Sequence, residues 1–172
     1  ISSSAMALEV GLGTGIALRG PYQSYEGNLT VGITGWLWKR HVGLGAFGSG
    51  GICNSTTIGM CWTASEEVGL LFGFDKDAEF QIMPAFVANQ YWRDEAELGG
   101  LAGYGLGYRI GGKLRFNWKP DFMPIVVSPY GEGGTGPVSG YKPTGPDKGE
   151  AFNRIGAQAK FGLDVRISVP LL

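Results

Sequence analysis

Histidine is almost missing from this chain of 172 residues, with His41 the only one. A serine or cysteine hydrolase needs a base beside its nucleophile, so one exposed-looking histidine on the turn "KRH" leaves catalytic constellations thin, and no catalytic residue or enzyme activity is assigned. A zinc site wants four ligands, and the same scarcity disfavours a metal. Cysteine is scarce as well, with Cys53 and Cys61 alone. Charged residues make up 17%, below the usual figure of about 25%. The 14 Lys and Arg against 15 Asp and Glu leave a net charge of -1. Without a basic excess to neutralise phosphates, nucleic acid is excluded as a partner. No run of 18 or more apolar residues occurs, which excludes a transmembrane helix but not a transmembrane strand.

Glycine is abundant. The chain carries 31 of them, with 12% aromatic and 44% apolar residues. Glycine does not recur in threes, and the apolar fraction is ample for a buried or lipid-covered surface, so the chain is neither collagen-like nor disordered. The length suits a single domain, 1–172. Residues 1–7, "ISSSAMA", have the small-x-small form left of a signal-peptidase cut and read equally as a remnant of a signal peptide or of cloning.

The first patterned stretch, "ALEVGLGTGIALRG" at 7–20, alternates strictly. Leu8, Val10, Leu12, Ile16 and Leu18 share one face, interrupted only by Thr14, while Glu9, Gly11, Gly13, Gly15, Ala17 and Arg19 share the other. A period of two is a strand. Residues 155–169 repeat the pattern, with Ile155, Phe161, Leu163, Val165, Ile167 and Val169 against Gln158, Lys160, Asp164, Arg166 and Ser168. In all, the chain offers eight strands, at 6–19, 27–38, 41–50, 57–74, 78–92, 97–110, 113–127 and 151–169, and no convincing helix. Every second connection is short ("KR", "DKD", "GG"), and the last long one is 128–150. This is the pattern of an all-β, up-and-down antiparallel transmembrane barrel, with tight periplasmic turns and longer extracellular loops. Trp36 and Trp38 fall on the inward face of the second strand, where a bulge would turn them outward. Trp92, Tyr108, Trp118 and Tyr22 near strand ends suit aromatic girdles.

Soluble barrels alternate too, but their bulky apolar face turns inward. Here the other face is glycine and alanine punctuated by charges, which suits a narrow lumen filled by a few long polar side chains. Charges in so dry a space must pair. The sequence therefore predicts a lumen cluster of Glu9, Arg109, Lys113, Arg115, Lys160, Asp164 and Arg166, with a structural role. Cys53 and Cys61, eight positions apart across a turn-rich stretch, suit a disulfide over a hairpin top, with two unpaired thiols as the alternative. "GLGTG" at 11–15 lacks the helix a phosphate loop needs, and the strand reading displaces it. Pro84, Pro120, Pro124 and Pro129 lie in or beside strands, where proline removes a ladder donor. They mark either a kink or strand end, or a lateral gap to lipid.

On this pattern of strands and loop lengths the chain resembles the small eight-stranded outer-membrane barrels of Gram-negative bacteria. One departure is the ending "ISVPLL", where such barrels usually carry a terminal aromatic residue read by the insertion machinery. The resemblance implies a bacterial outer-membrane protein set among membrane lipid or lipopolysaccharide, with no cofactor. It implies a scaffold whose loops, chiefly 128–150 with Tyr130 and Tyr141, contact a partner envelope protein or a cell surface. Two alternatives stand beside it. One is a lipid-binding or lipid-modifying barrel with lateral access near Pro120 and Pro124. The other is a soluble, secreted, ligand-binding barrel.

Overall fold

The computed structural model describes residues 6–19, 22–38, 40–55, 59–75, 77–92, 107–141 and 151–171. They form eight strands: β1 (Met6–Arg19), β2 (Tyr22–Trp38), β3 (Val42–Ser55), β4 (Gly59–Gly73), β5 (Phe80–Trp92), β6 (Gly107–Trp118), β7 (Ile125–Tyr141) and β8 (Ala151–Leu171). Each pairs with its chain neighbours, and β1 pairs with β8 to close the barrel. All eight seams are antiparallel. Every strand exceeds the roughly 9 to 11 residues that cross a hydrocarbon layer.

The alternation read in the sequence sets which side faces in. Leu12 is 70% exposed, and Leu163 and Val165 keep 41% and 44% of their surface, whereas Glu9 and Arg166 retain 4% and 1%. A soluble barrel would reverse this, so the aliphatic belt needs an apolar solvent. Aromatic residues gather near both rims. Tyr25 and Trp62 lie toward the loop end; Trp38, Phe74, Phe80, Trp118 and Phe122 lie toward the end where β1 starts and β8 finishes, and all are exposed.

Several segments depart from the sequence reading. "GG" at 111–112 is not a turn: both glycines lie inside β6. A Cβ at Gly111 would collide with the Gly133 carbonyl oxygen of β7, so the position demands glycine for a close strand approach rather than for a bend. The true turn is 119–124, which splits the strand expected at 113–127 between β6 and β7. β7 then runs on to Tyr141, so 128–141 of the loop expected at 128–150 are strand, and 142–150 lie outside the described residues. Of the strand expected at 97–110, the last four positions begin β6 at Gly107, and 97–106 lie outside the described residues.

The bulge in β2 divides the two tryptophans. A register shift between Trp36 and Trp38 turns Trp38 outward, to 63% exposure. Trp36 stays inside, against the Phe47, Leu71 and Met83 cluster. At the following turn Arg40 takes a positive φ of 61°, and His41 N–H donates to the Trp38 carbonyl at 2.7 Å. The Arg40 guanidinium donates to the Asp77 carbonyl at 2.9 Å, tying this turn to the next. In that second turn the Asp75 carboxylate accepts the N–H groups of Glu79 at 2.8 Å and Phe80 at 3.2 Å.

Proline marks two kinds of place. Pro120 and Pro124 sit in the turn between β6 and β7, where the Pro120 carbonyl accepts from Met123 N–H at 3.3 Å and the Pro124 carbonyl from Ser168 N–H at 2.7 Å. They lie in the turn and not in a strand, so neither of them interrupts a ladder itself. Other prolines do interrupt ladders. The β4–β5 ladder skips Leu70 and Leu71 opposite Pro84 and Met83. The β6–β7 ladder skips Phe116 and Asn117 opposite Pro129 and Ser128. A missing N–H is the common cause.

Candidate functional site

The distinctive chemistry lies inside the barrel. Small residues on the inner face of β1 and β8 make the room: a Cβ at Gly162 would collide with the Thr14 carbonyl and the Tyr130 phenol, so Tyr130 swings across the lumen only because position 162 is bare. Into that space the strands send five buried acids (Glu9, Glu26, Glu67, Glu132, Asp164) and five buried bases (Arg109, Lys113, Arg115, Lys160, Arg166). The interior is thus electrically balanced among the described residues.

The ion pairs form a chain. Arg166 Nε donates to Glu9 Oε2 at 2.8 Å, and Thr34 Oγ1 donates to Glu9 Oε1 at 3.1 Å. Asp164 bridges Arg166, at 3.4 Å, and Arg115, which it meets in a short contact. The Arg115 fork donates to both Glu67 oxygens, at 2.6 and 2.7 Å. Bidentate pairing of this kind fixes both groups in one plane. Lys113 lies 3.1 Å from Glu67 and 3.8 Å from Glu132. Glu132 Oε1 also accepts from Asn89 at 2.6 Å and Gln158 at 2.9 Å. Toward the loop end, Lys160 pairs with Glu26 at 2.7 Å.

Aromatic rings fill the gaps between charges. The Tyr130 ring has Lys113 Nζ at 4.1 Å and the Arg115 guanidinium carbon at 5.4 Å from its centroid. Phe47 carries Arg166 at 4.8 Å and Arg115 at 5.2 Å. Arg109 lies over Tyr91 at 5.3 Å. Each cation therefore meets an acid or a ring face in place of water. A side network of Asn117, Ser128 and Arg166 completes the filling, with Ser128 Oγ donating to Asn117 at 2.6 Å and Arg166 to Ser128 at 2.8 Å.

All seven residues expected in the lumen cluster are inside and buried. Six lie in ion pairs with buried acids or bases, and Arg109 sits against Tyr91. The sequence reading missed Glu26, Glu67 and Glu132. Glu67 could have been found by carrying the alternation through β4, since Trp62, Val68 and Leu70 place position 67 inward. Glu132 was hidden by the misplaced loop. For the same reason Tyr130 is no loop contact: it is a buried strand residue at the centre of the charge chain. Tyr141 ends β7, and its side chain lies outside the described residues.

Cys53 and Cys61 face each other across β3 and β4 and form a disulfide, with Cα atoms 4.8 Å apart. It holds the loop end of this hairpin, two residues below the turn on each strand. His41 is exposed at the opposite end, its ring edge-on to Trp38 at 5.9 Å.

No protein-family profile matches the chain, and no curated protein does. Among solved structures, Neisserial surface protein A is similar, with a TM-score of 0.58 over 97% of this chain and 99% of that one at 9% identity. The toluene transporter TodX of Pseudomonas putida gives a TM-score of 0.36 at 9% identity, over 96% of this chain and 67% of that one. At such identity the likeness to the Neisserial protein is one of fold, and the fold is that of a small eight-stranded outer-membrane barrel.

Proposed function

We propose that the chain is an outer-membrane protein whose wall is a structural scaffold and whose loop-end segments, 93–106 and 142–150, contact a partner protein or cell surface. The observation that supports this best is the inverted burial: an aliphatic exterior around a lumen plugged by balanced ion pairs. Among the described residues the lumen is filled by side chains, which favours recognition by the connections at the rim. In this reading the three tight turns at 39–41, 74–79 and 119–124 face the periplasm, and the disulfide end faces outward among lipopolysaccharide. The test replaces 142–150 or 93–106 with a two-residue Asn-Gly turn. The barrel is expected to keep the shifted gel mobility of an unheated closed tube while losing adhesion to target cells. Unchanged adhesion in both variants would defeat the loop role.

One observation favours a second reading, a lipid-binding barrel. The β6–β7 ladder is interrupted at Pro129, and the side chains behind it (Asn117, Ser128, Arg166) are polar. This suits a lipid headgroup more than an acyl tail. Pro129→Val restores a donor to the seam and is expected to lower labelling of Asn117 by a headgroup photoprobe in vesicles; equal labelling would sink this reading.

A further inference from the structure

Glu66 stands on the wrong side of the wall. Its chain neighbour Glu67 points inward to Arg115 and Lys113, but Glu66 points outward with Trp62, Val68, Leu70 and Phe72. It lies seven residues from either end of β4. From the Trp62 girdle that is roughly 13 Å along the strand at about 3.3 Å per residue, well inside the apolar belt. No hydrogen bond or ion pair engages it among the described residues, and no other outward-facing strand residue described there is charged.

The surface around Glu66 is shaped as well as charged. Its register partners are Gly48 on β3 and Ala88 on β5, with Gly50 and Ala64 beside them. A Cβ at Gly48 would meet nothing within 4 Å, so this glycine is not there for barrel packing. Bulky side chains such as Val31 and Phe86 border the patch. The result is a low stretch of wall between bulkier neighbours, a dent open toward the bilayer from which one carboxylate rises. Small residues in a membrane surface let a neighbouring backbone approach closely, and an ionisable group there marks a partnered site.

We infer that this dent docks a membrane-embedded segment of a different protein, one that carries a Lys or Arg at mid-depth to meet the Glu66 carboxylate. Charge complementarity selects the partner. Acids hold the lumen bases Lys113, Arg115, Lys160 and Arg166 on the far side of the wall, and among the described residues the outward face has no Lys or Arg. A second copy docking by its own outer wall brings acid to acid, so the base has to come from elsewhere. The inference rests on the membrane reading above.

The test reconstitutes the protein in phosphatidylcholine vesicles with a labelled synthetic Leu/Ala transmembrane helix bearing one central Lys, or Leu at that position, and reads association by energy transfer. The Lys helix is expected to associate at least tenfold better than the Leu helix. That preference is expected to vanish in Glu66→Leu, and also in Gly48→Leu, which keeps the carboxylate but fills the dent. Equal association of the two helices, or a Lys preference that survives Glu66→Leu, would overturn the inference. Barrel self-association that Glu66→Leu abolishes, without a Lys preference, would assign the dent to a second copy and overturn it equally. A chain that never inserts into the vesicles would instead defeat the membrane reading itself.

Discussion

Removing the Glu67 carboxylate would strip both oxygens from the Arg115 fork and leave Lys113 with Glu132 at 3.8 Å. Breaking a buried pair from one side leaves a charge without compensation, at a cost of about 3 to 5 kcal/mol. Glu67→Leu is therefore expected to lower the urea unfolding midpoint sharply in vesicles. Glu67→Leu combined with Arg115→Leu should recover much of the loss, because both charges then leave together. A double variant as weak as the single one would show that the ion pair is not the unit of stability. Most of this chain was legible in the sequence, because Glu9, Lys160, Asp164 and Arg166 fall on strands whose alternation is clean. Glu67 was legible in the alternation of β4, whereas Glu26 fell just before the strand expected at 27–38 and Glu132 inside the loop expected at 128–150, so their faces could not be read.

The elements owe their ends to local chemistry that pattern alone under-reports. β3 and β4 are stapled by Cys53–Cys61, which closes a short segment of eight positions. Loop-closure entropy for so short a ring gives about 2 to 3 kcal/mol. Reduction, or Cys53→Ala with Cys61→Ala, is expected to lower stability by that amount, as read from urea midpoints, while strand content by circular dichroism stays unchanged. The Asp75 turn gives a pH signature. Burial alone would raise the carboxyl pKa, but the N–H groups of Glu79, Phe80, Asp77 and Ala78 outweigh it and hold it below the ordinary 3.8. A depressed folded value stabilises above the ordinary pKa and is lost as pH falls through the folded one. Asp75→Asn should thus flatten the fall in urea midpoint between pH 5 and pH 2, and an unaltered slope would count against the turn. The boundary errors share one cause. Gly111 and Gly112 looked like a turn because glycine serves turns and close strand approaches alike, and only the Gly133 carbonyl decides between them.

At the scale of the whole molecule, the exterior sets the solvent. Leu12 lies midway along β1 at 70% exposure. A charge on the lipid face at mid-depth costs about 2 to 4 kcal/mol for Arg or Lys. Leu12→Arg should impair folding into vesicles, while Leu12→Val should fold as the parent does. If Leu12→Arg folds equally well, the aliphatic belt is not a lipid face. The closed fold itself was readable from strand count and alternating connection lengths, which survived even where two strands were misplaced, because one turn moved by a few residues leaves the order of hairpins intact.

The seam between β1 and β8 runs from Met6–Leu171 to Arg19–Gln158, and the Arg166–Glu9 pair spans 157 positions of chain. Neither terminal strand has a partner for its free edge until the other arrives. All of β8 would have to be made before the fourteen residues of β1 could satisfy their outer backbone groups in oil. Premature stops anywhere in β8 should consequently yield no smaller barrel but an unsealed sheet, a substrate for envelope proteases rather than a reduced version of the same protein.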